Sequence, residues 1–88
     1  KGRQKILDEL LSQGETVVLY ESPHRFMKLL EELVERVTEE KPITVTVCRE
    51  LTKLYEDIRV GTPVELIQHY TENDDQVRGE FVLIIRQN

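Results

Sequence analysis

Thr16-Val17-Val18-Leu19-Tyr20-Glu21-Ser22-Pro23-His24-Arg25 runs from an apolar stretch into a polar turn, and the turn opens an amphipathic segment. The β-branched and apolar residues of 16–20 predict a strand covered on both faces. Ser22 is placed to cap a helix, with Pro23 at its first position. A strand, a tight polar turn and a helix make the building unit of open α/β sheets. Such sheets hold their ligands just beyond the carboxyl ends of strands.

Upstream, Ile6, Leu7, Leu10 and Leu11 recur at helical spacing and Gly14 follows as a stop, which predicts a helix over about residues 3–13. Downstream, Phe26, Leu30, Leu33, Val34 and Val37 form an apolar stripe flanked by Met27 and Leu29, with Glu31, Glu32, Glu35 and Arg36 opposite. This second helix is expected to reach about Glu39, where Lys41-Pro42 breaks it. Ile43, Val45 and Val47 alternate with Thr44, Thr46 and Cys48, a strand with one strongly apolar face. Ile58 and Val60 alternate with Asp57 and Arg59 in a third, more exposed strand. Thr62-Pro63-Val64-Glu65 is a capping box that starts a short helix carrying Leu66, Ile67 and Tyr70. Glu72 to Gly79 reads as a polar, mobile loop, and Phe81 to Ile85 as a last strand, apolar on both faces.

The order αβαββαβ predicts an α/β fold: a small mixed, mainly parallel four-stranded sheet with flanking helices. The helices after strands one and three are long enough for right-handed parallel crossovers. Strands two and three are joined too tightly for one and should be antiparallel.

The chain has 88 residues, enough for one small domain, with 39% hydrophobic and 33% charged residues. No apolar run approaches the ~20 residues of a membrane span. A chain that opens on Lys1 reads as a piece of a longer protein. Cys48 is the sole cysteine, so no internal disulfide forms, and in a strand it reads as a small buried hydrophobe. The net charge of −5 argues against strong independent nucleic-acid binding, although Lys1, Arg3 and Lys5 cluster.

No dedicated catalytic motif stands out. The glycines are isolated at 2, 14, 61 and 79, and His24 and His69 fall on different elements, so neither a phosphate loop nor a metal site is indicated. His69 is expected on a helix surface. Two polar turns remain. In the first, capping accounts for Ser22 and Pro23, and Glu21 suits the positive end of a helix dipole. His24 and Arg25 are unfavourable there and call for another reason. The second is Arg49-Glu50-Leu51-Thr52-Lys53, which as a plain connection is a solvated turn with an Arg–Glu pair. If strands one and two are parallel neighbours, both turns share one sheet edge and form a ligand rim.

Val18-Leu19-Tyr20-Glu21-Ser22-Pro23-His24-Arg25, Arg49-Glu50-Leu51-Thr52-Lys53, Gly61-Thr62 and Gly79-Glu80-Phe81-Val82-Leu83, in this order and spacing, resemble the C-terminal domain of the tetrapyrrole methylase family, in its rRNA-methylating branch. The resemblance covers almost all of residues 1–88. It implies a two-domain cytoplasmic α/β methyltransferase, a homodimer, with S-adenosylmethionine in the cleft between domains. The implied reaction is methylation of a cytidine ribose 2′-hydroxyl in 16S rRNA of the small ribosomal subunit. By the same resemblance Glu21 and Leu51 line the cofactor pocket, with Tyr20, Ser22 and Thr52 as neighbours. His24, Arg25, Arg49, Glu50 and Lys53 then face RNA or the cleft, the cations suiting phosphate contact. The resemblance names no catalytic base.

The resemblance also implies an N-terminal domain whose Gly-rich loop holds much of the cofactor, and a strand ahead of helix one. Residues 1–88 contain neither, so they are expected to hold half a pocket and to be inactive alone. Two other readings are a methylase domain for a tetrapyrrole or other small molecule, and a non-catalytic domain for dimerisation and RNA docking.

Overall fold

A computed structural model describes residues 2–49 and 56–87. The elements are α1 (Gly2–Ser12), β1 (Val17–Glu21), α2 (Pro23–Val34), β2 (Ile43–Arg49), β3 (Asp57–Gly61), α3 (Pro63–Glu72), a 3₁₀ turn (Asp74–Gln76) and β4 (Phe81–Gln87). The predicted element order is observed. Glu50, Leu51, Thr52 and Lys53 lie outside the described residues.

The sheet corrects the expectation of a mainly parallel arrangement. Its order is β1-β4-β2-β3, and all three pairings are antiparallel. The pairing of β2 with β3 is the one foreseen. The chain's last strand inserts between β1 and β2, so those two are not neighbours. Both nevertheless run antiparallel to β4, hence parallel to each other, and their carboxyl ends emerge at the same end of the sheet.

All three helices cover one face. Leu7 and Leu11 of α1, Phe26, Leu29, Leu30 and Leu33 of α2, and Leu66 and Tyr70 of α3 form one buried cluster with Val17, Ile43, Val45, Val47, Phe81, Leu83 and Ile85. Because side chains alternate along a strand, the other set faces away. There Val18 and Tyr20 are exposed, which overturns the reading of β1 as a strand covered on both faces. On β3 the alternation is inverted relative to polarity. Ile58 and Val60 face solvent, while Asp57 and Arg59 are half-buried on the helix side. Cys48 is buried, as foreseen, and burial followed by the nearby Glu56 charge pushes its thiol pKa up.

Local chemistry explains the element ends. Gly14 follows α1 at φ +71°, a left-handed conformation that glycine adopts without penalty, and its N–H bonds to the Leu11 carbonyl. Pro23 opens α2, and Ser22 is the N-cap in extended backbone (φ −84°, ψ 158°). Its hydroxyl, however, makes no capping bond, contrary to expectation. Helix α2 stops at Val34, short of Glu39. The Arg36 and Val37 amides reach only three residues back, and a Thr38–Lys41 turn holds Thr38 Oγ1 2.9 Å from the Lys41 amide. Val37 is consequently exposed, and Glu32, read as part of the polar face, is buried beside Gln4. The Thr62–Glu65 capping box forms as expected, at 3.2 Å and 2.9 Å. A Cβ at Gly61 would lie 3.2 Å from Glu65 Oε1, so a larger residue there would press on the carboxylate that closes the box.

The expected mobile loop after α3 is built. His69 is half-buried rather than on the surface. Its Nε2 lies 2.9 Å from Gln76 Oε1, and Asn73 Nδ2 donates to the His69 carbonyl at 2.8 Å. Val77 packs against the core.

Candidate functional site

The sheet end at which β1 and β2 finish is organised by register. Glu21 pairs with Phe81, Phe81 with Arg49, and Arg49 with Asp57. These four residues form one row across all four strands, on the helix-covered face. One row further in stand Leu19, Leu83, Val47 and Arg59. The floor beneath the row is aromatic. Phe26 stacks on Phe81 with centroids 4.0 Å apart, and the Tyr70 ring meets Phe26 edge-on at 4.9 Å.

Around this floor the groups are polar and partly enclosed. Glu21 Oε1 accepts the Ser22 amide at 3.1 Å, which ties the strand end to the start of α2. The Nε atoms of Arg49 and Arg59 and the Tyr70 hydroxyl are buried with no hydrogen-bond acceptor among the described residues. Burial pushes the Tyr70 phenol up, and Asp57 adds to this; Arg59 and Arg49 lie near enough to pull it part of the way back. The sheet end thus combines two carboxylates with buried donors whose hydrogen bonds are unmade, a costly arrangement that an acceptor would relieve.

The structure brings together Glu21 and Arg49 and sets Ser22, His24 and Arg25 beside them, the last three exposed at the first turn of α2. Tyr20 points to the opposite, open face and is 80% exposed. Asp57, Arg59 and Tyr70 were not singled out from sequence. Asp57 and Arg59 alternate with apolar residues and read as the solvent side, and Tyr70 read as plain core. Among the described residues no three His, Cys, Asp or Glu side chains group to hold a metal. A hollow of about 330 Å³ lined by Asp8, Arg36, Lys41 and Gln87 opens at the other end of the sheet. It lies away from both polar turns, and Arg36 there is already engaged by Asp8 at 2.6 Å.

The chain is 41% identical over 85 residues to ribosomal RNA small subunit methyltransferase I of Bacillus subtilis, covering 97% of this chain and 27% of that protein. The chain is similar to a segment of that methyltransferase. Proteins of the same name from Synechocystis and Borrelia garinii are 40% identical over 83 residues and 35% over 86, covering 94% and 98% of this chain. The chain spans 28% and 37% of those two methyltransferases. No family model matches the chain. The resemblance read from the two polar turns therefore extends over almost all of residues 1–88. Among the described residues no helix is long and apolar enough to cross a membrane.

Proposed function

We propose that this chain is the C-terminal domain of a two-domain, S-adenosylmethionine-dependent methyltransferase that modifies a cytidine ribose 2′-oxygen in 16S rRNA of the small subunit. The full protein is a cytoplasmic homodimer of the tetrapyrrole methylase family. The observation that carries the reading is the emergence of the carboxyl ends of β1 and β2, at Glu21 and Arg49, at one end of the sheet, in a chain similar over nearly its whole length to rRNA small subunit methyltransferases.

The donor set at that end suits the cofactor. A carboxylate such as Glu21 accepts from hydroxyl or ammonium groups, and guanidinium and phenol donors meet a carboxylate. When bound, S-adenosylmethionine supplies an electrophilic methyl group. In this reading Glu21 forms part of its wall, with Ser22 beside it, while the Tyr20 side chain, expected by the resemblance to neighbour the pocket, lies on the opposite face of the sheet. Leu51 and Thr52 complete the wall from the second turn. His24 and Arg25 are solvent-facing and sit one turn from Glu21, where they meet RNA phosphates, with Arg49, Glu50 and Lys53 on the opposite turn. A single domain with net charge −5 holds RNA weakly, so the N-terminal domain supplies the rest of the grip.

The experiment is methyl transfer by the full-length protein to small ribosomal subunits that lack the modification. Label in 16S rRNA at a cytidine ribose is expected. Transfer to a small molecule and none to rRNA would replace this reading by that of a small-molecule methylase.

A further inference from the structure

The sheet face turned away from the helices is largely apolar and exposed at its two edge strands, with Thr46 and the buried Cys48 of β2 between them. Val18 and Tyr20 of β1, Val82 and Ile84 of β4, and Ile58 and Val60 of β3 share it, by the register and the alternation of side chains. Tyr20, Val60, Ile58 and Val18 are 80%, 62%, 57% and 55% exposed. The two central rows contain no charged residue, in a chain that is 33% charged. Four strands ~4.8 Å apart and two rows ~7 Å apart give a flat footprint of roughly 300 Å². A patch of about that size is comparable to the largest that a soluble monomer ordinarily exposes, and such patches are often functional.

We propose that in the full-length protein this face packs against the same face of a second copy. The inference rests on the homodimer proposed above and assigns the surface that makes it. Shape favours it: two sheets of the same right-handed twist pack face to face with strands about 30° apart, so the face is complementary to itself. Charge favours it too. Arg86, exposed and paired in register with Thr44, lies beyond one end of the apolar rows. Glu56 lies at the other end, close enough to Cys48 to raise its pKa. A two-fold axis lying in the interface and running across the strands brings the basic end of each copy to the acidic end of the other. The apolar rows supply under half of the ~800 Å² that each partner buries in a standard interface. They form the centre, with a rim from this chain and from the part of the relatives' length that lies outside it.

The test uses the full-length protein with a photo-crosslinking residue, p-benzoylphenylalanine, in place of Val60, and a control with it in place of Glu31, exposed on the outer side of α2. Light scattering is expected to give a dimer, and irradiation a covalent product of twice the chain mass from position 60 and none from 31. A second variant, Val60→Glu, is expected to raise the dimer dissociation constant at least about tenfold while the melting curve stays cooperative. Dimers in scattering with crosslinks only inside one chain, or none, or an unchanged dimer constant in Val60→Glu, would overturn the assigned surface and leave the homodimer standing. A monomeric wild-type protein would overturn both.

Discussion

Glu21 and Arg49 flank Phe81: each is the register partner of that one residue, on opposite sides of β4. Two strand ends that are distant in sequence are thereby held at one sheet end by the inserted last strand. The spacing between them is set by two ladders of backbone hydrogen bonds rather than by either turn. The rigidity of this end depends on what lies under Phe81.

Phe26 is fully buried and stacks on Phe81 while Tyr70 meets it edge-on. Phe26→Ala removes the central ring of this aromatic floor and is expected to cost ~3–5 kcal/mol, a large part of the stability of so small a domain. Urea denaturation followed by circular dichroism measures it; a loss below about 1 kcal/mol would show that the floor does not support the sheet end.

Tyr70 carries a pH signature. Its pKa is raised in the folded chain, first by burial and then by Asp57. The folded state therefore holds the phenolic proton more tightly than the unfolded state does. This contribution is fully present below about pH 10, the usual tyrosine value, and is lost as pH rises through the folded pKa. Tyr70→Phe also deletes a buried hydroxyl that lies within reach of Arg59 but makes no well-formed hydrogen bond, so its cost near neutrality is expected to stay within about 1.5 kcal/mol. Melting temperatures between about pH 9 and 11 should fall less steeply in Tyr70→Phe than in the parent. Parallel curves would contradict the assignment.

Arg36 ties α1 to the end of α2. Its Nε donates to Asp8 Oδ1 at 2.6 Å, Nη1 to the Glu32 carbonyl at 2.7 Å and Nη2 to the Gln4 carbonyl at 3.3 Å. The Arg36 side chain is 13% exposed and that of Asp8 is 62%. Arg36→Ala is expected to cost ~1.5–3 kcal/mol, because two carbonyls and a carboxylate lose their donor. Asp8→Asn should cost under ~1 kcal/mol, since solvent screens the exposed partner. Thermal unfolding of both variants checks the asymmetry; equal losses would place the stabilisation in the ion pair.

Much of the fold was legible in the residues. Proline at the first helical position, the Thr62–Glu65 box and Gly14 located helix ends, and the alternation of Ile43, Val45 and Val47 identified the buried face of β2. Strand order was not legible. A connection long enough for a parallel crossover permits parallel neighbours but does not say whether another strand lies between them, and β4 does. Nor does alternation say which face is inside. Ile58 and Val60 look like core residues, yet they belong to the open face, and Asp57 and Arg59 take the covered side. That inversion hid Asp57 and Arg59 from the site, and Tyr70 was hidden because a buried aromatic reads as plain core. Both polar turns stood out because their composition exceeds what capping requires, and Glu21 and Arg49 share one sheet end because β1 and β2 run in the same direction, not because they are adjacent.

The most direct test of the central claim, that the shared end of β1 and β2 is one wall of the cofactor pocket, is a calorimetric titration of S-adenosylmethionine into the full-length protein and its Glu21→Lys variant. The account predicts at least about tenfold weaker binding in the variant, since the carboxylate at the strand end becomes a cation, with the melting transition of this domain retained. Equal cofactor affinity in the two proteins would contradict it.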